Sequence, residues 1–224
     1  ALIPALASLG RLARSKAPTE AHPDATPVAA APEVPARVLI AGYGRVGQIV
    51  SDLLDAHAIP WLAVDADPDE VARMRRKGKA VYLGDASRAD ILHACHVEDV
   101  RALIVTMDGA SRVEAVVRAA RAARTDLPIV ARARDAANAA TLYGLGVRDA
   151  VPETVEASLQ VAEAALFALG QPAGRVIASI HEKRDAERKR LMAAAAVADA
   201  AEEPGGRLRA RTLRAAIRPT AAKD

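Results

Sequence analysis

From Arg37 onward, short apolar runs alternate with amphipathic stretches of helical period. Val38-Leu39-Ile40-Ala41 has the pattern of a buried strand and runs straight into Gly42. Helical spacing then holds from Val46 to His57. It is followed by a strand at Trp61 to Val64, a helix from Pro68 to Lys77 and a strand at Ala80 to Leu83. Pro68 suits a helix start, where a missing N–H costs nothing. The alternation continues with a short helix near Ala89 to Cys95 and a strand at Ala102 to Thr106. Next come a helix capped by Ser111 that runs to Arg124, and a strand at Pro128 to Ala133. A helix from Asp135 to Tyr143, ended by Gly144, precedes a sixth strand at Val147 to Val151. Strands and helices alternating at this spacing require right-handed βαβ crossovers, so the pattern predicts an α/β fold with a doubly wound parallel sheet, Rossmann-like.

After Pro152 the pattern becomes helical only. Glu153 to Leu169 is amphipathic, with Val155, Leu159, Ala162 and Leu166 on one stripe. Gly170 and Pro172 end it, and a charged helix near Ile177 to Ala196 carries Asp185 and Lys189 at i, i+4 spacing. The stripe predicts a surface for a second copy of the chain, hence a homodimer. The ends read differently. Residues 1–16 run from apolar Ala1–Leu9 into Arg11, Arg14 and Lys16, as the cytoplasmic end of a transmembrane helix would, the alternative being a disordered leader. Residues 17–36 are Pro- and Ala-rich without hydrophobic period, which predicts a linker. The expected organisation is therefore a helix end at 1–16, a linker at 17–36, a nucleotide-binding domain at 37–152, dimerisation and peripheral helices at 153–202 and a disordered basic tail at 203–224.

Composition narrows the function classes. Hydrophobic residues make up 51% of the chain but aromatics only 2%, so the core must be built from closely packed Ala, Val, Leu and Ile. The formal charge is only +3, with the basic excess at the two ends, and aromatic stacking platforms are lacking; both argue against a nucleic-acid partner. The lone Cys95 cannot form an internal disulfide and fits a reducing compartment.

The specific chemistry lies at Gly42-Tyr43-Gly44-Arg45-Val46-Gly47, a G-x-G-x-x-G between a predicted strand and a predicted helix. Gly42 permits the tight turn, Gly44 lets the backbone approach a phosphate, and Gly47 lets the helix sit close to the strand. The phosphate would face the helix N-terminus, whose free N–H groups and dipole favour negative charge. Asp65 ends the second strand 18 residues beyond Gly47, where an acid hydrogen-bonds a ribose diol and repels a 2′-phosphate. Its other use would be to cap the following helix. Asp85 closes the third strand on the same carboxyl edge, beside an adenine or ribose or capping the next helix.

Four segments in this order resemble the RCK domain, also called TrkA-N or KTN, and within it the Kef-type potassium/proton antiporters. They are Val38 to Gln48, Val64-Asp65-Ala66-Asp67-Pro68-Asp69, Gly84-Asp85-Ala86-Ser87-Arg88 and Ala131-Arg132-Ala133-Arg134-Asp135. The resemblance covers residues 37–169. It implies a dimeric cytosolic domain that binds AMP or NAD(H) and gates the movement of potassium or another monovalent cation through an attached membrane domain, at the cytoplasmic face of the inner (plasma) membrane. It places Gly42, Gly44 and Gly47 on phosphate, Asp65 on ribose and Asp85 beside the nucleoside. Tyr43, Arg45, Val46, Ala66, Ala86 and Thr106 complete the expected nucleotide site, and Arg132 stands near an anionic effector. One position departs from the pattern: Lys77 precedes Gly78 where the Kef-type sequences have Phe, a position linked to glutathione-type gating.

Two rival functions use parts of the same pattern. An NAD-dependent oxidoreductase shares the glycine fingerprint, but it needs a second wall and a proton donor against the nicotinamide, and beyond Val151 the sequence offers only helices and a tail. A scaffold that merely dimerises would not need Asp65. Other clusters read as structural: His93, Cys95 and His96 do not share one helix face. Arg112, Arg118, Arg121 and Arg124 read as a solvated face, and the arginines of the tail as simple surface charge or a contact to anionic lipid.

Overall fold

The computed structural model describes residues 26–28 and 36–202. The expected helix end at 1–16, most of the linker and the basic tail at 203–224 lie outside the described residues. Six strands form one parallel sheet in the order β3-β2-β1-β4-β5-β6. They are β1 Val38–Ala41, β2 Trp61–Asp65, β3 Val81–Leu83, β4 Ala102–Val105, β5 Ile129–Ala133 and β6 Asp149–Pro152. The connecting helices are α1 Arg45–Ala56, α2 Pro68–Arg76, α3 Ala89–Ala94, α4 Ala110–Ala123 and α5 Ala136–Gly144, and α6 Glu153–Ala168 and α7 Ala173–Glu202 follow the last strand.

Side-chain alternation in the strands divides the core into two layers. Leu39, Ala41, Leu103, Val105, Ile129 and Ala131 face one side, where Leu92 of α3, Val113 and Val117 of α4, Leu142 of α5 and Leu191 of α7 close over them. Val38, Ile40, Ala63 and Val81 face the other, against Val50 and Leu54 of α1 and Val71 and Met74 of α2. Helices α1 and α2 cover only the β1–β2–β3 half of this second face. Over the β4–β5–β6 half, Ile104, Val130 and Val151 instead line a cavity of about 670 Å³ whose walls are α1 and α6.

Several local expectations change. The first turn of α4 is not capped by Ser111: the helix begins one residue earlier, with Gly109 at φ +90° as its N-cap and no side-chain cap bond. Helix α5 runs through Gly144, and the chain reverses at Gly146, whose φ of +79° supplies the left-handed turn that ends a helix. That displaces β6 to Asp149–Pro152. Helix α7 is a single 30-residue element, because the Ala-rich run after Met192 continues it. Its i, i+4 ion pair is Lys183–Glu187 at 2.8 Å, not the expected Asp185–Lys189.

Two arginines expected on a solvated face do structural work. Arg121 donates from Nη1 to the carbonyl of Leu127 (2.5 Å) and from Nη2 to that of Gly146 (2.5 Å), joining the loops before β5 and β6. Arg124 Nη1 donates to the carbonyls of Glu98 (3.0 Å) and Val100 (2.7 Å) ahead of β4. These loop carbonyls lie beyond the strand ladders, so the guanidinium forks satisfy groups the sheet leaves unpaired. Arg112 and Arg118 remain exposed. Part of the expected linker is also bound: Leu83 N donates to the carbonyl of Thr26 (2.8 Å), and Val28 is 3% exposed in the larger core cluster. Among the described residues no helix is long and apolar enough to cross a membrane.

Candidate functional site

The strand order reverses between β1 and β4, where crossovers leave for opposite ends of the sheet and open a crevice at the carboxyl edge. Into it projects the loop from Gly42 to Gly47. Gly42 has φ +92°, and a Cβ there would lie 2.9 Å from the backbone N of Met107. A Cβ on Gly47 would lie 2.6 Å from the Gly42 carbonyl, so only glycine lets α1 pack on the end of β1. Thr106, buried at the end of β4, donates its hydroxyl to that same carbonyl at 2.7 Å and fixes the turn from beneath. Gly44 differs from both: a Cβ there meets nothing within 4 Å. No side chain caps α1 at Gly44, so the first N–H groups of the helix, which have no intrahelical partner, are left for a bound group.

Asp65 closes the crevice. Its Oδ2 accepts from Tyr43 N at 2.5 Å and its Oδ1 from Asp67 N at 2.8 Å. The carboxylate is thus held in one orientation by backbone donors, and each oxygen keeps a lone pair for a ligand diol. The helix-capping role is filled by Asp67, which accepts from Asp69 N and Glu70 N at the start of α2. Gly42, Gly44, Arg45, Val46, Asp65, Ala66 and Thr106 line a cavity of about 580 Å³, within the range of small-molecule sites.

Other candidates fall elsewhere. The Tyr43 side chain points into the core: it is fully buried, its hydroxyl lies 2.7 Å from Ser51 Oγ and its ring stacks on Trp61 at 5.4 Å between centroids. Burial raises its pKa, and only its backbone faces the crevice. Asp85 does not line the cavity; its Oδ1 accepts from Ser87 N (2.9 Å) and Ser87 Oγ (2.8 Å) in the turn before α3. Ala86 is 2% exposed, in the core. A short polar side chain so close to its own turn is satisfied locally before it reaches a ligand.

Arg132, on β5, stands between this cavity and the larger one under α6, lining both. Its Nη1 pairs with Asp108 and its Nε with Glu153, the first residue of α6, while Nη1 also reaches the Thr106 carbonyl at 3.3 Å. The Glu153 carboxylate is the largest influence holding the guanidinium's pKa above its ordinary value. The sequence did not reveal these two acidic partners, nor Arg112, which extends from the first turn of α4 to the nucleotide-sized cavity.

The His93–Cys95–His96 trio is split between core and surface, with His93 and His96 exposed. Cys95 is buried, which pushes its thiol up to about 12, and His93 Nδ1 pairs with Glu98. No metal-ligating cluster occurs among the described residues.

A family model for the TrkA-N domain matches residues 38–153. Over 147 residues the chain is 33% identical to a putative K(+) efflux antiporter KefB of Alkalimonas amylolytica, a match covering 66% of this chain and 22% of that protein. It is 31% identical over 193 residues to the chloroplastic K(+) efflux antiporter 2 of Arabidopsis thaliana, covering 82% of this chain and 16% of the relative. Among solved structures, it superposes on the Kef CTD of Shewanella denitrificans in AMP-bound form with a TM-score of 0.62. That match is 30% identical and covers 71% of this chain and 98% of the other. The chain spans about a fifth of the length of the curated relatives it matches.

Proposed function

Because the chain belongs to the TrkA-N domain family, we propose that its glycine-lined cavity takes AMP or NAD(H) as a regulatory ligand of a Kef-type cation/proton antiporter. The observation that carries this reading is Asp65: its carboxylate is fixed by Tyr43 N and Asp67 N at the cavity wall, beside the open Gly44. Phosphate at the α1 N-terminus and a ribose diol on Asp65 fit that pair. The AMP-bound relative, 30% identical, supports the same ligand class. In isothermal titration NADH is expected to bind more tightly than NADPH by at least about tenfold, since Asp65 would face the 2′-phosphate. Equal affinities would overturn the assignment.

In this reading the domain lies at the cytoplasmic face of a membrane, joined through residues upstream of β1 to a transport domain that moves potassium or another monovalent cation. Against a hydride-transfer enzyme, the hydroxyl that reaches this cavity, that of Thr106, is bonded to the Gly42 carbonyl, and beyond β6 the described chain supplies only α6 and α7. Arg132 is the residue that ties occupancy to α6. An anion in the cavity competes with Glu153 for its guanidinium, and Glu153 begins α6. In vesicles carrying the full-length transporter, Arg132→Ala is expected to flatten the dependence of cation/proton exchange on nucleotide; a response equal to wild type would remove it from the pathway.

A homodimer remains part of this reading, but on a different surface. Most of the expected stripe on α6 is occupied within the chain: Leu159 packs with Val176 and Ile180 of α7, and Val155 and Leu166 lie against them, while Ala162 stays exposed. The half-covered β4–β5–β6 face is the better surface, because parallel sheets are covered on both sides and α1 exposes Ile49 (63%) and Leu53 (60%) beside it. A second copy would complete that face. Sedimentation at micromolar concentration is expected to show a dimer that Ile49→Asp with Leu53→Asp converts to a monomer; a wild-type monomer would count against it.

A further inference from the structure

Among the described residues ahead of β1, 26–28 are bound to the edge of the sheet. Pro27 bridges Leu83 in parallel, Leu83 N donates to the Thr26 carbonyl at 2.8 Å, and Val28 is buried in the core cluster that includes Tyr82, Ala86 and Leu92. β3 is the edge strand, so this strap takes the outermost position of the sheet. Pro27 has no N–H, and the strap closes the edge without offering a new pairing row.

The strap is joined to the nucleotide cavity through a short run of backbone hydrogen bonds. Asp65 accepts from Tyr43 N through its carboxylate and from Gly84 N through its carbonyl at 2.9 Å. Asp65 is in register with Leu83, the residue whose N–H reaches Thr26. Glycine loop, Asp65, the end of β3 and Thr26 are therefore successive partners. We infer that residues 26–28 are a ligand-sensitive strap: a nucleotide hydrogen-bonded to Asp65 restrains the end of β2, which holds the end of β3 in the position that docks Thr26 and Val28. Docked, the strap holds Thr26 against the end of β3; released, the first described hold on the sheet is Arg37, whose N donates to the Pro60 carbonyl.

This inference rests on the nucleotide reading above. Coupling between two sites is reciprocal, so ligand strengthens docking and docking strengthens ligand binding by the same factor. Hydrogen exchange of the Leu83 amide in the full chain reports docking directly, since Thr26 is its acceptor. Saturating AMP is expected to slow that exchange about fivefold, and Val28→Asp to weaken AMP binding by about the same factor in calorimetry. Val28→Ala, a milder undocking change, should move both readouts in the same direction by less. If AMP binds the wild type but Leu83 exchange is unchanged and both variants bind as wild type does, the strap inference is overturned alone. If wild type gives no AMP binding, the nucleotide reading falls and takes this inference with it.

Discussion

Gly44→Val is expected to abolish nucleotide binding while leaving the fold intact. Gly44 has φ −71° and ψ −162°, extended backbone that any residue adopts, and a Cβ there meets no protein atom within 4 Å. The added side chain instead enters the space above the first turn of α1, where a phosphate would approach. AMP affinity should fall by about two orders of magnitude, roughly 2.7 kcal/mol. The urea midpoint should stay within the range of a neutral surface change, about 0.5 kcal/mol. Calorimetry and denaturation on one sample test both halves; AMP binding that survives the substitution would move the phosphate site away from this loop.

Gly47→Ala is expected to do the reverse, damaging the fold first. Alanine would gain about 1 kcal/mol of helix propensity over glycine in α1. Against that, its Cβ would stand 2.6 Å from the Gly42 carbonyl and 3.1 Å from Thr106 Oγ1, contacts that only a shift of the helix can relieve. Overpacking of this kind costs about 1–3 kcal/mol; the obstacle here is backbone, which sets the upper end, about 3 kcal/mol, and leaves a net loss of about 2 kcal/mol after the propensity gain. Unfolding in urea measures it; a midpoint at or above wild type would mean that the loop yields more easily than its hydrogen bond from Thr106 suggests. One motif thus separates into a structural glycine at each end and a ligand-facing glycine between them.

The sheet, its parallel sense and the positions of the strands were legible because apolar runs and helical periods alternate without interruption from Val38 to Val151. The glycine motif was legible for the same reason, since its strand and helix frame it. The Tyr43 side chain was not. Motif spacing locates backbone, whereas the direction of a side chain depends on the strand beneath it, here Trp61 on β2. The stripe on α6 was legible as a covered face but not by what: α7 of the same chain packs on Leu159, Val155 and Leu166 and leaves Ala162 exposed. Arg121 and Arg124 looked like surface charge because the carbonyls they satisfy belong to loops distant in sequence. That Asp85 gives Oδ1 to Ser87 in its own turn was not legible, because such a turn leaves no mark in hydrophobic patterning.

The stacking of Tyr43 on Trp61 has an optical consequence. Trp61 is the only tryptophan in the chain, and its indole N–H is bonded to Asp55 Oδ1 at 2.7 Å. All indole emission therefore arises one ring away from the second residue of the glycine loop. Nothing has to be attached to the protein for that loop to be followed by light: movement of Tyr43 alters the polarity and quenching around a single fluorophore whose position is fixed by β2. The protein carries its own spectroscopic label beneath the site, on the side a ligand does not touch.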